Sequence, residues 1–182
     1  MNGRLVLVVV VGALLFGAAA VTSMTAIGNK QPPAVMKQLQ SAKAATDKYR
    51  NVARAEADGY RTVPGPDGQP VCVASPAGGM GIHYENERLM ANNALKITQP
   101  EILVYAPQPD GSLQLVALEW LKADSDQDPS TTTDLPRLFR TPFDGPHEGH
   151  HPGMPIHYDL HAWLFQANRA GMFTQFNPAV RC

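Results

Sequence analysis

Residues 102 to 121 read Ile-Leu-Val-Tyr-Ala-Pro-Gln-Pro-Asp-Gly-Ser-Leu-Gln-Leu-Val-Ala-Leu-Glu-Trp-Leu, the clearest sheet pattern in the chain. Two runs rich in branched and aromatic residues, 102–105 and 113–121, flank a connection that contains Pro-Asp-Gly. This arrangement predicts an antiparallel β-hairpin. Glu119 interrupts the second, otherwise apolar run, so its carboxylate needs a partner if it is buried. The alternative is that Glu119 faces solvent.

The segments on both sides of the hairpin predict an α+β fold. Apolar and small residues recur at spacings of three and four from Val35 to Tyr60, which indicates one long amphipathic helix that ends near Asp58-Gly59. Ile156 to Phe165 alternates over ten positions and favours a strand, although a helical stripe is also present. With short strands near 71–73 and 81–84, we expect an antiparallel sheet of four to five strands covered by a long N-terminal helix.

The first residues predict export from the cytoplasm. Arg4 precedes an apolar run from Leu5 to Phe16, and small residues follow at 17–20. This order is typical of a signal peptide, and an uncleaved N-terminal anchor is the alternative. Residues 1–26 are therefore interpreted as a signal or anchor, and residues 27–182 as one periplasmic or extracellular domain. A membrane partner is expected only through the N-terminal segment, if it is retained.

The net charge and the cysteines narrow the possible classes of protein further. The chain has 15 Lys and Arg against 16 Asp and Glu, and the basic residues are scattered, which argues against a nucleic-acid partner. Its two cysteines, Cys72 and Cys182, are expected to form a disulfide in an exported protein. The rival interpretation as metal ligands lacks the usual Cys-x-x-Cys spacing.

Five of the six histidines lie between residues 147 and 161. The sixth, His83, belongs to a near-copy of part of that region, because 79–85 and 153–159 match at Gly, Met, Ile, His, Tyr and the final acid. If the two copies were neighbouring strands, they would bring His83 and His157 together. A chance match of common strand residues is the alternative.

A metal site is the functional hypothesis that this density of histidine suggests. Ligand nitrogens on one zinc lie only about 3 to 3.5 Å apart, whereas His157 and His161 on a strand are separated by roughly 13 Å. We therefore expect cross-strand ligation. The predicted ligands are His83, His157 and His161 with Glu119 as the carboxylate, and the predicted residues behind them are Asp159, Tyr84 and Tyr158.

The loop before the last strand contains three further candidate residues: His147, His150 and His151. They could bind metal or form a lid over the site; the alternative is that this loop is a solvent-exposed turn. Zinc and copper are the expected metals, and nearby thioethers keep copper in consideration. Those thioethers belong to Met80, Met90, Met154 and Met172.

Several of these segments together resemble a group of exported bacterial proteins that carries no assigned activity. The resemblance covers roughly residues 40 to 182 and is strongest in the motif Pro-Gly-Met-Pro-Ile-His-Tyr-Asp-Leu-His-Ala-Trp at 152–163. It implies one exported domain and no particular reaction.

Two other functions compete with metal binding. The first is a metal-free module that binds a small molecule or protein in an apolar groove lined by Tyr84, Trp120, Trp163 and Phe165. The second is an enzyme in which His157 acts as general base and Asp159 orients it.

Overall fold

The computed structural model describes residues 31 to 182, so the predicted signal or anchor segment lies outside the described residues. The helices are α1 (Pro33–Thr46), α2 (Val52–Ala57) and α3 (Glu87–Asn92), with a 3-10 turn at Asp47–Arg50. The strands are β1 (Arg61–Thr62), β2 (Cys72–Ser75), β3 (Gly78–Glu85), β4 (Ile102–Pro107), β5 (Leu113–Ala123), β6 (Arg137–Leu138), β7 (Thr141–Pro142), β8 (Asp144–His147) and β9 (His157–Ala162).

Seven of the described strands form one antiparallel sheet in the order β1-β3-β4-β5-β9-β8, with β2 also paired to β3. The α+β prediction is confirmed, and β4 and β5 form the predicted hairpin. The predicted number of four to five strands is wrong. The additional strands are two to four residues long and lie in sequence rich in Pro and Gly, so they leave no alternating pattern to detect. A separate two-stranded sheet, β6 and β7, lies within residues 124 to 144, a segment whose lack of apolar periodicity predicts a long loop.

The N-terminal helix is broken, where the sequence predicted a single helix from Val35 to near Asp58-Gly59. The break falls at Asn51, which has extended backbone angles and caps α2 by accepting a hydrogen bond from the Ala53 N–H. Asparagine often terminates helices in this way because its side chain competes for backbone N–H groups. Just before the break, the Tyr49 carbonyl accepts a 2.7 Å hydrogen bond from the Tyr105 hydroxyl, which ties the turn to the sheet.

The central sheet has two faces with different contents. On the helix face, side chains of α1 share one apolar cluster with residues of the strands such as Leu118 and Trp120. Trp120 is fully buried, and its indole N–H donates to the Lys96 carbonyl over 2.9 Å. The residue between Leu118 and Trp120 is Glu119, so strand alternation directs its carboxylate to the opposite face. We call this second face the histidine face.

The C-terminal segment crosses the edge of β3 and is tied to β2. Gly79 exchanges backbone hydrogen bonds with Asn177, and a Cβ at Gly79 would lie 2.7 Å from a Val180 methyl carbon, so glycine is required for this close approach. The predicted disulfide between Cys72 and Cys182 is present. Such a bond is typical of an oxidising compartment. None of the helices within residues 31 to 182 combines the length and apolar character needed to cross a bilayer.

Glu101 is a buried carboxyl group just before β4, and it gives the fold a testable pH dependence. It is 1% exposed, and it accepts a 3.2 Å hydrogen bond from the Leu121 N–H. Burial raises the pKa of Glu101 from 4.5 to about 8. The unfolded chain ionises this group near pH 4.5 and the folded protein only near pH 8, so its contribution to stability is complete below pH 4.5 and is lost as the pH rises towards 8.

Glu101→Gln is therefore expected to raise the free energy of unfolding at pH 7 by about 2 to 3 kcal/mol, because the amide stays neutral and keeps an acceptor for Leu121. At pH 4 the substitution should have little effect. Urea denaturation at the two pH values measures the difference. An equal gain at both pH values would contradict the assignment of a buried, neutral carboxyl group.

Candidate metal centre

The last strand carries the polar side chains that the sequence singled out. β9 is a strand, as predicted, and all six of its residues are buried. Tyr158 and Leu160 point into the helix-side core, while His157, Asp159 and His161 lie on the histidine face. Three buried polar groups on one strand are costly to desolvate, so their partners decide what this face can do.

Three residues from three strands meet on the histidine face and form what we call the His–Glu–His group: His83 of β3, Glu119 of β5 and His161 of β9. Glu119 and His161 are directly opposite in the β5–β9 register. The Glu119 Oε2 atom lies 3.2 Å from His83 Nε2 and 3.3 Å from His161 Nε2. One ligand atom from each residue lies within 4.8 Å of the other two, which is the spacing of a site that could hold a metal ion.

The hydrogen bonding inside this group is incomplete. Within the described part of the chain, Glu119 Oε2 and both ring nitrogens of His161 are buried and have no aligned hydrogen-bond partner. The distances of 3.2 to 3.4 Å are short enough for hydrogen bonds or ion pairs. The hydrogen bonds are missing because the donor and acceptor atoms are poorly aligned. A cation bound between these atoms would give the buried oxygen and nitrogen the partner that they lack.

Electrostatic coupling inside the His–Glu–His group is strong without a metal. Burial alone would raise the pKa of Glu119, but the neighbouring His161 and His83 outweigh it and hold that pKa well below its usual range. Burial lowers the pKa of His161, and the negative charge of Glu119 together with Asp159 overrides this and raises it to about 10. The metal-free group is therefore an ion pair between the Glu119 carboxylate and the His161 imidazolium.

Asp159 lies directly behind His161, where the sequence predicted a supporting residue. Its Oδ1 atom is 3.4 Å from His161 Nδ1, and its Oδ2 atom is 3.4 Å from His147 Nε2. A carboxylate next to the second nitrogen of an imidazole is a common support for metal-ligating histidines, because it fixes the ring and makes it more basic.

His157 occupies a different place from the one predicted. The near-copies β3 and β9 are not neighbours, because β4 and β5 lie between them. The β9 residue that meets His83 and Glu119 is therefore His161, and His157 lies four residues earlier on the same face, about 13 Å along the strand. Nor does Asp159 orient His157, because His157 Nδ1 faces the Pro155 carbonyl at 3.0 Å. The prediction failed because an internal similarity does not encode strand order.

Tyr84 and Tyr158 were predicted to support the ligands, but the structure places both rings on the other face of the sheet. Each follows a histidine directly, so alternation turns its ring to the helix face. The Tyr84 ring packs against Tyr105 with centroids 4.9 Å apart. The Tyr158 hydroxyl donates to Asp134 Oδ1 over 2.9 Å.

The loop histidines join the same face. His147 contacts Asp159, and the His150 ring lies 5.0 Å from the His157 ring between centroids. His151 Nε2 lies 3.0 Å from Glu85 Oε2, a contact that the sequence reasoning missed. The available signal was spacing, because Glu85 is two residues after His83 and so shares its face.

A cleft of about 770 Å³ opens onto the His–Glu–His group. Of the three group members, His83 and Glu119 line it, whereas His161 is only 1% exposed behind them. Much of the remaining wall is apolar. It comprises residues such as Val63, Pro64, Val71, Met80, Pro152 and Met154.

The geometry and the fold define a sheet protein with a buried His–Glu–His group at the base of a cleft. Comparisons with models of known protein families, with curated proteins and with solved structures found no match to this chain.

Proposed function

We propose that this is an exported protein that binds a transition metal, Zn²⁺ or Cu²⁺, through His83, Glu119 and His161. The observation that carries the proposal is the convergence of three ligand atoms within 4.8 Å, two of the residues being almost fully buried. Two imidazoles and one carboxylate are a ligand set that zinc accepts. Copper stays an alternative because the thioethers of Met80 and Met154 line the adjoining cleft.

Three protein ligands leave one coordination position free for an exogenous ligand. In zinc proteins, structural sites are closed by four protein ligands, and a site with three ligands and an accessible position is typical of catalysis. Because His83 and Glu119 line the cleft, the free position would face it. A metal there could polarise a bound small molecule or activate water. Sequestration of the ion is the simpler use of the same site.

Export is part of the proposal and has two supports. One is the order of charge, apolar run and small residues within 1–26. The other is the disulfide between Cys72 and Cys182, a bond that persists in oxidising compartments.

A metal-free binding module is the second candidate, and the contents of the cleft favour it. The ion pair between Glu119 and His161 compensates charge without a metal, and much of the cleft wall is apolar. The aromatic groove expected from the sequence is not formed, because Trp120 and Trp163 are buried in separate apolar clusters. In this alternative the cleft itself would take an apolar small molecule.

Metal titration separates the two candidates. Protein without a histidine tag is stripped with a chelator and titrated with Zn²⁺, and then with Cu²⁺, against a chromophoric competitor. We expect His83→Ala to weaken one tight site by roughly 100-fold or more, since a direct ligand should matter at least as much as its supports. The matched control is His151→Ala, which also alters a cleft histidine but leaves the three ligands intact. Equal affinity in wild type and His83→Ala would overturn the proposal.

A further inference from the structure

A second set of imidazoles lies on the histidine face outside the His–Glu–His group. We call it the three-histidine cluster: His147 of β8, His150 of the following loop and His157 of β9. The ring centroids are 5.0 Å apart for His150 and His157, 6.1 Å for His147 and His157, and 6.5 Å for His147 and His150. Imidazoles that share a tetrahedral zinc have centroids about 5 Å apart, given a Zn–N bond of about 2 Å. The ring spacing is therefore close to that of a metal site. Within residues 31 to 182, however, only the His–Glu–His group already brings three ligand atoms within 4.8 Å of one another, so metal binding here requires the His147 and His150 rings to turn towards His157.

His157 has the buried, unsatisfied nitrogen that such a site requires. Its Nδ1 lies 3.0 Å from the Pro155 carbonyl oxygen, which can only accept, so Nδ1 carries the proton. The Nε2 atom then has a free lone pair, and it is buried with no hydrogen-bond partner within residues 31 to 182. His157 is 0% exposed, so bulk water does not satisfy this nitrogen. In metal-ligating histidines one ring nitrogen is likewise held by a hydrogen bond, often to the backbone, and the other is left to bind the metal.

Asp159 adds a carboxylate to the cluster. Its Oδ2 atom lies 3.4 Å from His147 Nε2, a distance that two ligands of one zinc ion have. The same nitrogen lies 3.4 Å from the side-chain amide nitrogen of Gln175. His147 also lines an open groove of about 570 Å³, through which an ion could arrive from solvent.

We propose that His147, His150 and His157, with Asp159 Oδ2, form a second site for a transition metal of the Zn²⁺ or Cu²⁺ class. The proposal goes beyond the proposed function and does not require the His–Glu–His group to be occupied. Asp159 contacts both sites, because its other oxygen faces His161. Occupation of one site would therefore fix the carboxylate that the other site uses.

The experiment counts zinc ions in the full protein, without a histidine tag, in the presence of a competitor that removes weakly bound metal. Wild type should retain two ions per chain. His147→Ala/His150→Ala should retain one, and His83→Ala should also retain one. The matched control, Glu148→Ala/His151→Ala, changes the same loop without touching a proposed ligand and should retain two. Because His147 and His150 are not buried, the double variant should fold, and circular dichroism checks this.

The outcomes separate this inference from the proposed function. If wild type retains one ion that His83→Ala loses and His147→Ala/His150→Ala keeps, the second site is wrong and the proposed function stands. If the one ion is lost only in His147→Ala/His150→Ala, the second site stands and the His–Glu–His site is wrong. If neither zinc nor copper, counted in the same way, is retained by wild type, both proposals are overturned. Two ions that persist in His147→Ala/His150→Ala overturn the second site.

Discussion

Replacing both cysteines, as Cys72→Ser/Cys182→Ser, is expected to lower the free energy of unfolding by about 4 to 5 kcal/mol. The bond joins residues 110 positions apart, so it restricts a very large part of the unfolded chain. A typical domain has only about 5 to 15 kcal/mol of stability, and the variant should therefore be marginal at 37 °C. Urea denaturation of the oxidised wild type and the variant measures the loss.

Reduction provides the control for this prediction. Wild type in a strong reductant should unfold at the same urea concentration as the double serine variant, while the reductant should leave the variant unchanged. A difference of less than about 1 kcal/mol between oxidised wild type and the variant would show that native strain or residual structure in the unfolded chain cancels the effect of the cross-link.

Zinc is expected to stabilise the folded protein by about 4 kcal/mol per site when free Zn²⁺ exceeds the dissociation constant by about 1,000-fold. The unfolded chain does not hold His83, Glu119 and His161 together, so binding favours the folded state. His161→Ala should remove the stabilisation at the His–Glu–His group. Thermal unfolding with and without Zn²⁺ measures it, with the metal-free protein of each variant as its own reference.

His151→Ala is the control that shows whether the zinc-dependent stabilisation comes from the His–Glu–His group. His151 contacts Glu85 and lines the cleft, but it supplies no ligand to the His–Glu–His group. His151→Ala should therefore keep the full zinc-dependent shift. A shift of equal size in wild type and His161→Ala would mean that zinc stabilises the protein elsewhere.

Elements with long, regular alternation could be predicted from the sequence. The β4–β5 hairpin was found because two runs rich in branched and aromatic residues flank a turn sequence, and β9 was found because its residues alternate over ten positions. The alternation in β9 places Tyr158 on the face opposite His157 and Asp159, so the predicted role of Tyr158 behind the ligands already conflicted with the pattern. The isolated charge in β5 led to Glu119, which is 3% exposed in the structure and has two histidines beside it.

Strand order and short edge strands could not be predicted, and they determine which ligands meet. His83 and His157 have similar sequence surroundings, but only the order β3-β4-β5-β9 shows that His161 is the partner of His83 and Glu119. β8 has four residues and places His147 beside Asp159, although its sequence indicates a loop. The break at Asn51 was missed because the apolar spacing continues across it, although the asparagine cap of α2 is itself a local signal.

β5 presents Trp120 to one side of the sheet and Glu119 to the other. A one-residue slip of this strand would exchange their positions, placing a carboxylate among aromatic rings and an indole at the base of the cleft. Val63 and Met154 of the cleft wall lie outside the strands and are free of this constraint, whereas a change in β5 that moves Glu119 also moves Trp120 in the apolar core.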